Sequence, residues 1–299
     1  MNHNTPSSPI TKGAVKLLYT IQTSELLRNY LKESSIDISC ILKDVDKIGL
    51  YECLDTSYRF FFPFNIAGDG PFYEKLEMIP WYYADWKWDY DIANNYITHN
   101  SSVLDIGCGE GKFIKHLKLE KNCNCFGLEL NEKASDIAKV NGLQVLNQTI
   151  QEFALYNKEK FDYVTFFQVL EHISDVDSFL SSAIDVVKRE GKIILAVPNN
   201  DPYYLTYDKD HYLNLPPHHM GWWNKKSLIS LCNFYNLKLE TVVIQPLEHY
   251  SSYANNLLSI KMKLPEPLVL LLRPFVKFLV YMMRKKINGA SILAVYRKL

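Results

Sequence analysis

From residue 102 onward, short apolar segments alternate with amphipathic ones along the chain. Seven mostly apolar runs have the length of strands, at residues 103–106, 125–128, 143–146, 161–167, 192–197, 237–244 and 291–296. The segments between them, at residues 111–119, 131–140, 176–187 and 228–235, are predicted as helices. Strands that alternate with helices predict a mainly parallel sheet with helices on both faces, which is a doubly wound α/β fold.

Local signals mark the ends of several helices. Asn131 is a residue type that caps helices at their N-terminus, and Ser174 with Asp177 resembles a capping box. The helix that follows has an apolar face, which consists of Val176, Phe179, Leu180, Ala183, Val186 and Val187. We predict that Gly191 ends this helix and leads into the strand at residues 192–197.

The first predicted strand runs into a turn rich in glycine. Gly107, Gly109 and Gly111 follow Asp105 at alternating positions. Glycine allows positive φ and lets a ligand approach the backbone, and the start of the next helix offers N–H groups. These features predict a site for a phosphate or a nucleoside. A dinucleotide-binding turn has the spacing G-x-G-x-x-G, and its last glycine would fall at Lys112.

The pattern Asp-x-Gly-x-Gly-x-Gly resembles motif I of the class I S-adenosylmethionine (SAM)-dependent methyltransferases. The resemblance covers about residues 80–245 and the last predicted strand. It implies SAM as the cofactor and a Rossmann-like sheet of seven strands in the order 3-2-1-4-5-7-6. It also implies a set of cofactor-binding residues, namely Asp105, Gly107, Cys108, Gly109, Gly111, Glu129, Leu130, Ile150, Gln151 and Gln168.

Four residues in three loops carry most of this predicted cofactor site. Glu129 ends the second predicted strand, about 20 residues after the glycines, where a doubly wound fold places a carboxylate for ribose hydroxyls. In the family, the loop that here contains Ile150 and Gln151 holds the adenine. The backbone near Gln168 would meet the amino group of SAM.

The segment from Gln168 to His172 resembles that of ubiquinone-pathway O-methyltransferases. Some of these relatives, and some small-RNA methyltransferases, bind a divalent metal through Glu-x-x-Glu-His. Here Gln168 replaces the first Glu, which removes an anionic oxygen ligand, so we expect no metal. His172 is a candidate general base, since imidazole titrates near neutral pH, and equally a candidate for a structural hydrogen bond.

A second segment with histidines lies between the fifth strand and the next helix. It contains His218 and His219. Adjacent side chains are expected to point in different directions, so at most one of the two would face a substrate. That histidine would help to deprotonate a hydroxyl nucleophile. The alternative is that both form hydrogen bonds within the loop.

All five tryptophans flank the predicted sheet. They are Trp81, Trp86, Trp88, Trp222 and Trp223. Together with Tyr203, they are predicted either to form a roof over the pocket or to form a packing cluster between segments. The sequence leaves both interpretations open.

Residues 1–78 do not follow the alternation of strands and helices and are predicted as an N-terminal extension. Residues 79–299 would form the methyltransferase domain, with a helical insert at 248–288 before the last strand. The extension resembles the lead-in of methyltransferases that are often encoded beside sugar and cell-surface polysaccharide genes. Some of those lead-ins carry the paired cysteines of a zinc ribbon. Thr56 stands where the cysteine after Cys53 would be, so we expect no zinc.

Composition narrows the predicted partners and compartment. The chain of 299 residues has a net charge of zero and no basic stripe, so we expect no nucleic acid. Its six cysteines form no C-x-x-C pair, which is typical of a reducing cytoplasm. The polar residues 1–9 lack the apolar core of a signal peptide. A cytoplasmic location is therefore expected.

One strongly apolar segment, residues 268–283, precedes three basic residues. A membrane span needs about 20 apolar residues, and this segment is shorter and interrupted by Arg273 and Lys277. We expect a helix that packs on the sheet or in a dimer interface. Peripheral contact with a membrane through residues 268–286 is the alternative.

These features together predict a SAM-dependent methyltransferase that acts on a hydroxyl group of a sugar or small metabolite. Its partner would be a small-molecule or glycan acceptor, held in line with the donor. One alternative is aminopropyl transfer, for which Asp201, Asp208 and Asp210 are thin support. The others are a SAM-binding module without catalysis, which would show a damaged motif I, and a membrane-attached scaffold.

Overall fold

The computed structural model describes residues 5–79, 86–201 and 211–299. Trp81, Tyr203, Asp208 and Asp210 lie outside these ranges. The strands are β1 (Val15–Gln22), β2 (Lys47–Cys53), β3 (Arg59–Phe62), β4 (Ser102–Ile106), β5 (Asn124–Leu128), β6 (Gln144–Leu146), β7 (Phe161–Phe167), β8 (Val187–Pro198), β9 (Gly221–Trp222), β10 (Leu237–Pro246) and β11 (Asn288–Lys298). The helices are α1 (Thr23–Ser34), α2 (Gly70–Glu77), α3 (Trp88–Asn94), α4 (Lys112–Lys121), α5 (Glu132–Val140), α6 (Ile150–Ala154), α7 (Val176–Val186), α8 (Lys225–Ser230), α9 (Tyr250–Asn256) and α10 (Glu266–Met283).

Within the described ranges, seven strands form one sheet in the order β6-β5-β4-β7-β8-β11-β10. Numbered by their sequence order within this sheet, the strands run 3-2-1-4-5-7-6, so the predicted Rossmann-like α/β fold is confirmed. β6, β5, β4, β7 and β8 are parallel, and β11 is antiparallel to both of its neighbours. Because parallel strands end at a common edge, the loops after β4, β5, β6 and β7 open on the same side.

Two predicted boundaries around α7 are wrong. The capping residue is Asp175, whose carboxylate accepts a hydrogen bond from the Ser178 N–H, rather than Ser174. The helix ends at Val186, and β8 begins at Val187, so Gly191 lies inside the strand. The register between β7 and β8 shifts at this point, because Val187 pairs with Phe161 and Lys192 pairs with Tyr163, which leaves three extra residues in β8.

The N-terminal residues form a second, antiparallel sheet in the order β1-β2-β3-β9. Its edge strand, β9, comes from far along the chain and pairs with β3. The predicted domain boundary between residues 78 and 79 remains a prediction. β9 belongs to the second predicted domain but pairs with β3 of the N-terminal extension. Cys53 is buried in this sheet, with its thiol 3.6 Å from the Thr11 hydroxyl.

Two of the tryptophans are core residues of these layers. Trp222 and Trp223 are fully buried. The Trp222 indole N–H donates to the Asn214 carbonyl at 2.7 Å, and Trp223 lies on the Tyr58 ring with centroids 4.2 Å apart. Packing is therefore the role of this pair, while Trp86 is 40% exposed.

The predicted helical insert lies between β10 and β11. Its two helices, α9 and α10, pack on each other through a small cluster of Leu247, Ala254 and Val280. Val280 is the single buried residue of α10. Within the described residues, no helix is both long enough and apolar enough to cross a membrane.

The close contact between β9 and the N-terminal sheet gives a stability prediction. A Cβ on Gly221 would overlap the buried Tyr58 hydroxyl, whereas a Cβ on Gly70, at the start of α2, would meet nothing within 4 Å. We expect Gly221→Ala to lower the free energy of unfolding by about 1–3 kcal/mol, as overpacking does. Urea denaturation measures this change, with Gly70→Ala as the matched control. Equal stabilities of the two variants would contradict the contact.

Candidate functional site

The loop after β4 contains three glycines with positive φ. The φ angles are 72° at Gly107, 55° at Gly109 and 78° at Gly111. A Cβ on Gly107 or Gly111 would overlap Val169 or Leu143, whereas a Cβ on Gly109 would meet nothing within 4 Å. The absence of a side chain at Gly109 therefore leaves space for a ligand beside the backbone, just before α4.

Glu129, directly after β5, lies against this loop. Its carboxylate accepts hydrogen bonds from the backbone N–H groups of Gly109 and Asn131, each at 2.8 Å. The Asn147 amide donates to the carbonyls of Glu129 and Leu130 at 2.9 and 2.8 Å, which ties in the loop after β6. An ionised carboxylate only accepts hydrogen bonds, so a hydroxyl group is the kind of ligand donor that Glu129 matches.

Asp105 and Cys108 support the loop from the inside of the protein. Asp105 is buried, and its Oδ1 accepts a hydrogen bond from the Thr165 hydroxyl at 2.6 Å. Burial raises the pKa of Asp105 to about 7. The Cys108 thiol is buried against Gly127, where a Cβ would overlap it. Direct contact of Asp105 or Cys108 with a cofactor stays a prediction.

The predicted adenine loop is held by a capping box. The Thr149 side chain accepts from the Glu152 N–H, and the Glu152 carboxylate accepts from the Thr149 N–H, which fixes the start of α6. Ile150 is buried and Gln151 is half-buried. Leu130, from the preceding loop, is 63% exposed. Their contacts with adenine remain predictions.

Gln168, directly after β7, has a φ of 58°, which is uncommon for a residue other than glycine. Its amide donates to the Asp89 carboxylate at 3.0 Å and to the Ser291 hydroxyl at 3.1 Å, and that hydroxyl donates to Asp89 at 2.5 Å. Burial raises the pKa of Asp89. Asp89 and Ser291 are not among the site residues predicted from the sequence. The sequence offers only the spacing of four residues between Asp89 and Ala93, which places the two on one face of a helix.

His172, His218 and His219 come together in one group, in which His218 and His219 are buried and His172 is half-buried. Their ring centroids are 4.5 to 5.0 Å apart. Nδ1 of His172 lies 2.6 Å from the His218 carbonyl oxygen, and the Met220 N–H donates to the Glu171 carbonyl at 2.8 Å. These two hydrogen bonds join the turn after β7 to the segment before β9.

The prediction that His218 and His219 point in different directions is wrong. Their rings are stacked, with centroids 4.5 Å apart and planes at 19°. The two Nδ1 atoms lie 2.7 Å from the Leu213 carbonyl oxygen and 3.1 Å from the Asn214 Oδ1, so successive acceptors of one turn hold the rings side by side. Burial lowers the pKa of His172 to about 4 and lowers those of the other two histidines well below the usual value. Their roles as bases remain predictions.

Comparison with known proteins identifies the family to which this chain is similar. The family model described as a methyltransferase domain matches residues 87–242, just over half of the chain. Ubiquinone biosynthesis O-methyltransferase of Nitrosomonas europaea is 28% identical over 125 residues, which are 39% of this chain and 53% of the relative. The enzyme of the same name from Dechloromonas aromatica is 29% identical over 106 residues, which are 33% and 45% of the two chains. The chain thus spans about half the length of the curated relatives it matches.

The chain is also similar to a solved structure. The SAM-dependent methyltransferase from Archaeoglobus fulgidus is 18% identical and covers 70% of this chain and 90% of its own, with a TM-score of 0.49. The family match covers β4 to β8, the glycine loop, Glu129 and all three clustered histidines. The chain belongs to the methyltransferase-domain family, as its resemblance to class I SAM-dependent methyltransferases predicted.

Proposed function

We propose that this protein transfers a methyl group from SAM to a hydroxyl oxygen of a small molecule. The observation that carries the proposal is the pairing of the open position at Gly109 with the Glu129 carboxylate, 2.8 Å from its N–H. A nucleoside has a ribose with two neighbouring hydroxyl groups and a planar base. A carboxylate beside backbone without side chains suits such a ligand, because it can accept hydrogen bonds from the ribose hydroxyls.

The residues of this edge suit the parts of SAM. Glu129 would accept hydrogen bonds from the ribose hydroxyls, and the backbone at Gly109 and Gln168 would lie along the methionine portion. Leu130 offers an exposed apolar surface to the adenine. SAM supplies a methyl group already activated on a sulfonium, so the protein's main contribution is to align the two reactants.

The proposed acceptor is a phenol or a sugar. The curated relatives carry the name ubiquinone biosynthesis O-methyltransferase, which supports an oxygen acceptor on a small molecule. The N-terminal resemblance to enzymes encoded beside polysaccharide genes supports a sugar. The net charge of zero does not favour a nucleic acid.

The acceptor class can be tested by turnover. Purified protein with SAM and a panel of phenols, sugars and nucleotide sugars should release S-adenosylhomocysteine above the acceptor-free background with at least one hydroxylated compound. Mass spectrometry of the product should place the new methyl group on oxygen. Methylation of nitrogen would contradict the proposal. SAM binding without turnover on any acceptor would favour the binding-module alternative.

The role of Glu129 can be tested by calorimetry. Glu129→Ala removes the carboxylate from the Gly109 N–H and from the proposed ribose contact. Hydrogen bonds to charged groups contribute about 1.5–3 kcal/mol, so we expect the Kd for SAM to rise by roughly 10-fold to 100-fold. Glu132→Ala, an exposed glutamate in the first turn of α5, is the matched control and should bind as the wild type does. Unchanged affinity of Glu129→Ala would refute the ribose assignment.

We further propose that α10 rests on an anionic membrane surface. Leu268, Leu271, Phe275, Phe278 and Met282 follow one another at spacings of three and four residues, which places them in one stripe. Each is 43% to 72% exposed. The insert at residues 248–288 carries seven Lys and Arg against two Glu, although the whole chain has no net charge. An apolar stripe with a basic remainder is the composition of an interfacial helix.

Vesicle sedimentation tests this proposal against dimerisation. The wild type should pellet with phosphatidylglycerol vesicles and much less with phosphatidylcholine alone. Leu271→Glu should weaken this binding, and Leu155→Glu should not, because the two leucines are similarly exposed at 72% and 69%. The proposal would be contradicted if the wild type bound neither type of vesicle. If light scattering then showed a dimer that Leu271→Glu dissociates, the apolar stripe would be a contact with a second copy of the chain.

A further inference from the structure

We propose that His172, His218 and His219 form a binding site for one divalent transition-metal ion of the zinc type. One ring nitrogen from each histidine lies within 4.8 Å of the others. Neighbouring nitrogens in a tetrahedral zinc site, with bonds of 2.0–2.1 Å, are about 3.4 Å apart. Binding of an ion would therefore require the nitrogens to approach one another by up to about 1.4 Å.

Nδ1 of each of the three rings already lies against an oxygen acceptor. Nδ1 of His172 lies 2.6 Å from the His218 carbonyl, Nδ1 of His218 lies 2.7 Å from the Leu213 carbonyl, and Nδ1 of His219 lies 3.1 Å from the Asn214 Oδ1. The Asn214 amide nitrogen donates to the Asn200 Oδ1, so its oxygen is the atom that faces His219. An oxygen acceptor at Nδ1 puts the proton there and the lone pair on Nε2. Histidines that bind metals show this arrangement, in which the second nitrogen donates to a carbonyl or carboxylate.

A buried carboxylate, that of Glu171, lies beside the histidine group. Glu171 is 1% exposed, and its Oε1 lies 3.9 Å from Nε2 of His172. Its Oε2 is buried and has no hydrogen-bond partner among the described residues. A buried polar atom without a partner is uncommon and calls for an ion or a water. A cation at the three histidines would supply the missing partner and leave Glu171 as a fourth ligand or a counter-charge.

The ligand types favour a zinc-like ion over Mg²⁺ or Ca²⁺. Imidazole suits zinc, copper, iron and nickel, whereas the alkaline-earth ions take oxygen ligands. An acid-rich site through residue 168 is not formed, because the Gln168 amide is bonded to Asp89 and Ser291. The expectation of no metal rested on Gln168 alone and did not consider that His218 and His219 would join His172.

His172 belongs to the turn after β7, and Val169 of the same turn lies against Gly107 of the glycine loop. A bound ion of this type lowers the pKa of a hydroxyl group that coordinates it. A role of the ion in deprotonating the acceptor hydroxyl depends on the proposed methyl-transfer function. The proposal that the three histidines bind a metal ion does not depend on it.

Metal binding to the whole chain tests the proposal directly. Protein stripped with a chelator is titrated with Co²⁺, whose visible absorption reports its coordination, and separately with Zn²⁺ by calorimetry. We expect one ion per chain and a melting temperature that rises with Zn²⁺. His219→Ala and the milder His219→Gln should each bind more than about 10-fold more weakly, whereas His99→Ala, an exposed histidine outside the group, should bind as the wild type does.

Several outcomes would overturn the site. Wild-type protein that takes up neither Co²⁺ nor Zn²⁺ would do so, as would equal affinities for the wild type and both His219 variants. Binding of Mg²⁺ in preference to Zn²⁺ would contradict the ligand assignment. SAM affinity is measured on the same samples. Retained SAM binding shows that a variant is folded, and loss of metal binding alone leaves the methyltransferase proposal intact.

Discussion

The hydrogen bond between the Gly109 N–H and the Glu129 carboxylate is the interaction on which the candidate site depends. It joins the loop after β4 to the loop after β5, at the edge where parallel strands end. The second carboxylate oxygen accepts from the Asn131 N–H, and the Asn131 side chain caps α5. A single carboxylate thus fixes the glycine loop, its own strand end and the start of the next helix.

A second junction brings the N-terminal sheet to the same edge. The hydrogen bond from the Met220 N–H to the Glu171 carbonyl, and that between His172 and the His218 carbonyl, join the turn after β7 to the segment that continues into β9. β9 then completes the sheet of β1 to β3. The histidine group therefore lies where the two sheets are tied together, and its burial follows from that position.

The sequence predicts the features that depend on local pattern. The seven strands, their order and the glycine loop follow from apolar runs and from the resemblance of Asp105 to Gly111 to motif I. The start of β8 is misplaced because Val187 continues the apolar spacing of α7, although the helix ends at Val186 and the strand has an irregular register up to Lys192. Long-range contacts leave no such trace. The Asp89–Gln168–Ser291 group joins residues up to 202 positions apart, and the stacking of His218 on His219 depends on two acceptors in a preceding turn.

We propose that the end of the parallel strands beside Gly109 and Glu129 binds SAM rather than a dinucleotide. Calorimetric titration of the wild-type chain with S-adenosylhomocysteine and, separately, with NAD tests it most directly. We expect one S-adenosylhomocysteine bound per chain and no saturable heat with NAD. Tighter binding of NAD, or no binding of S-adenosylhomocysteine at any concentration up to its solubility, would contradict it.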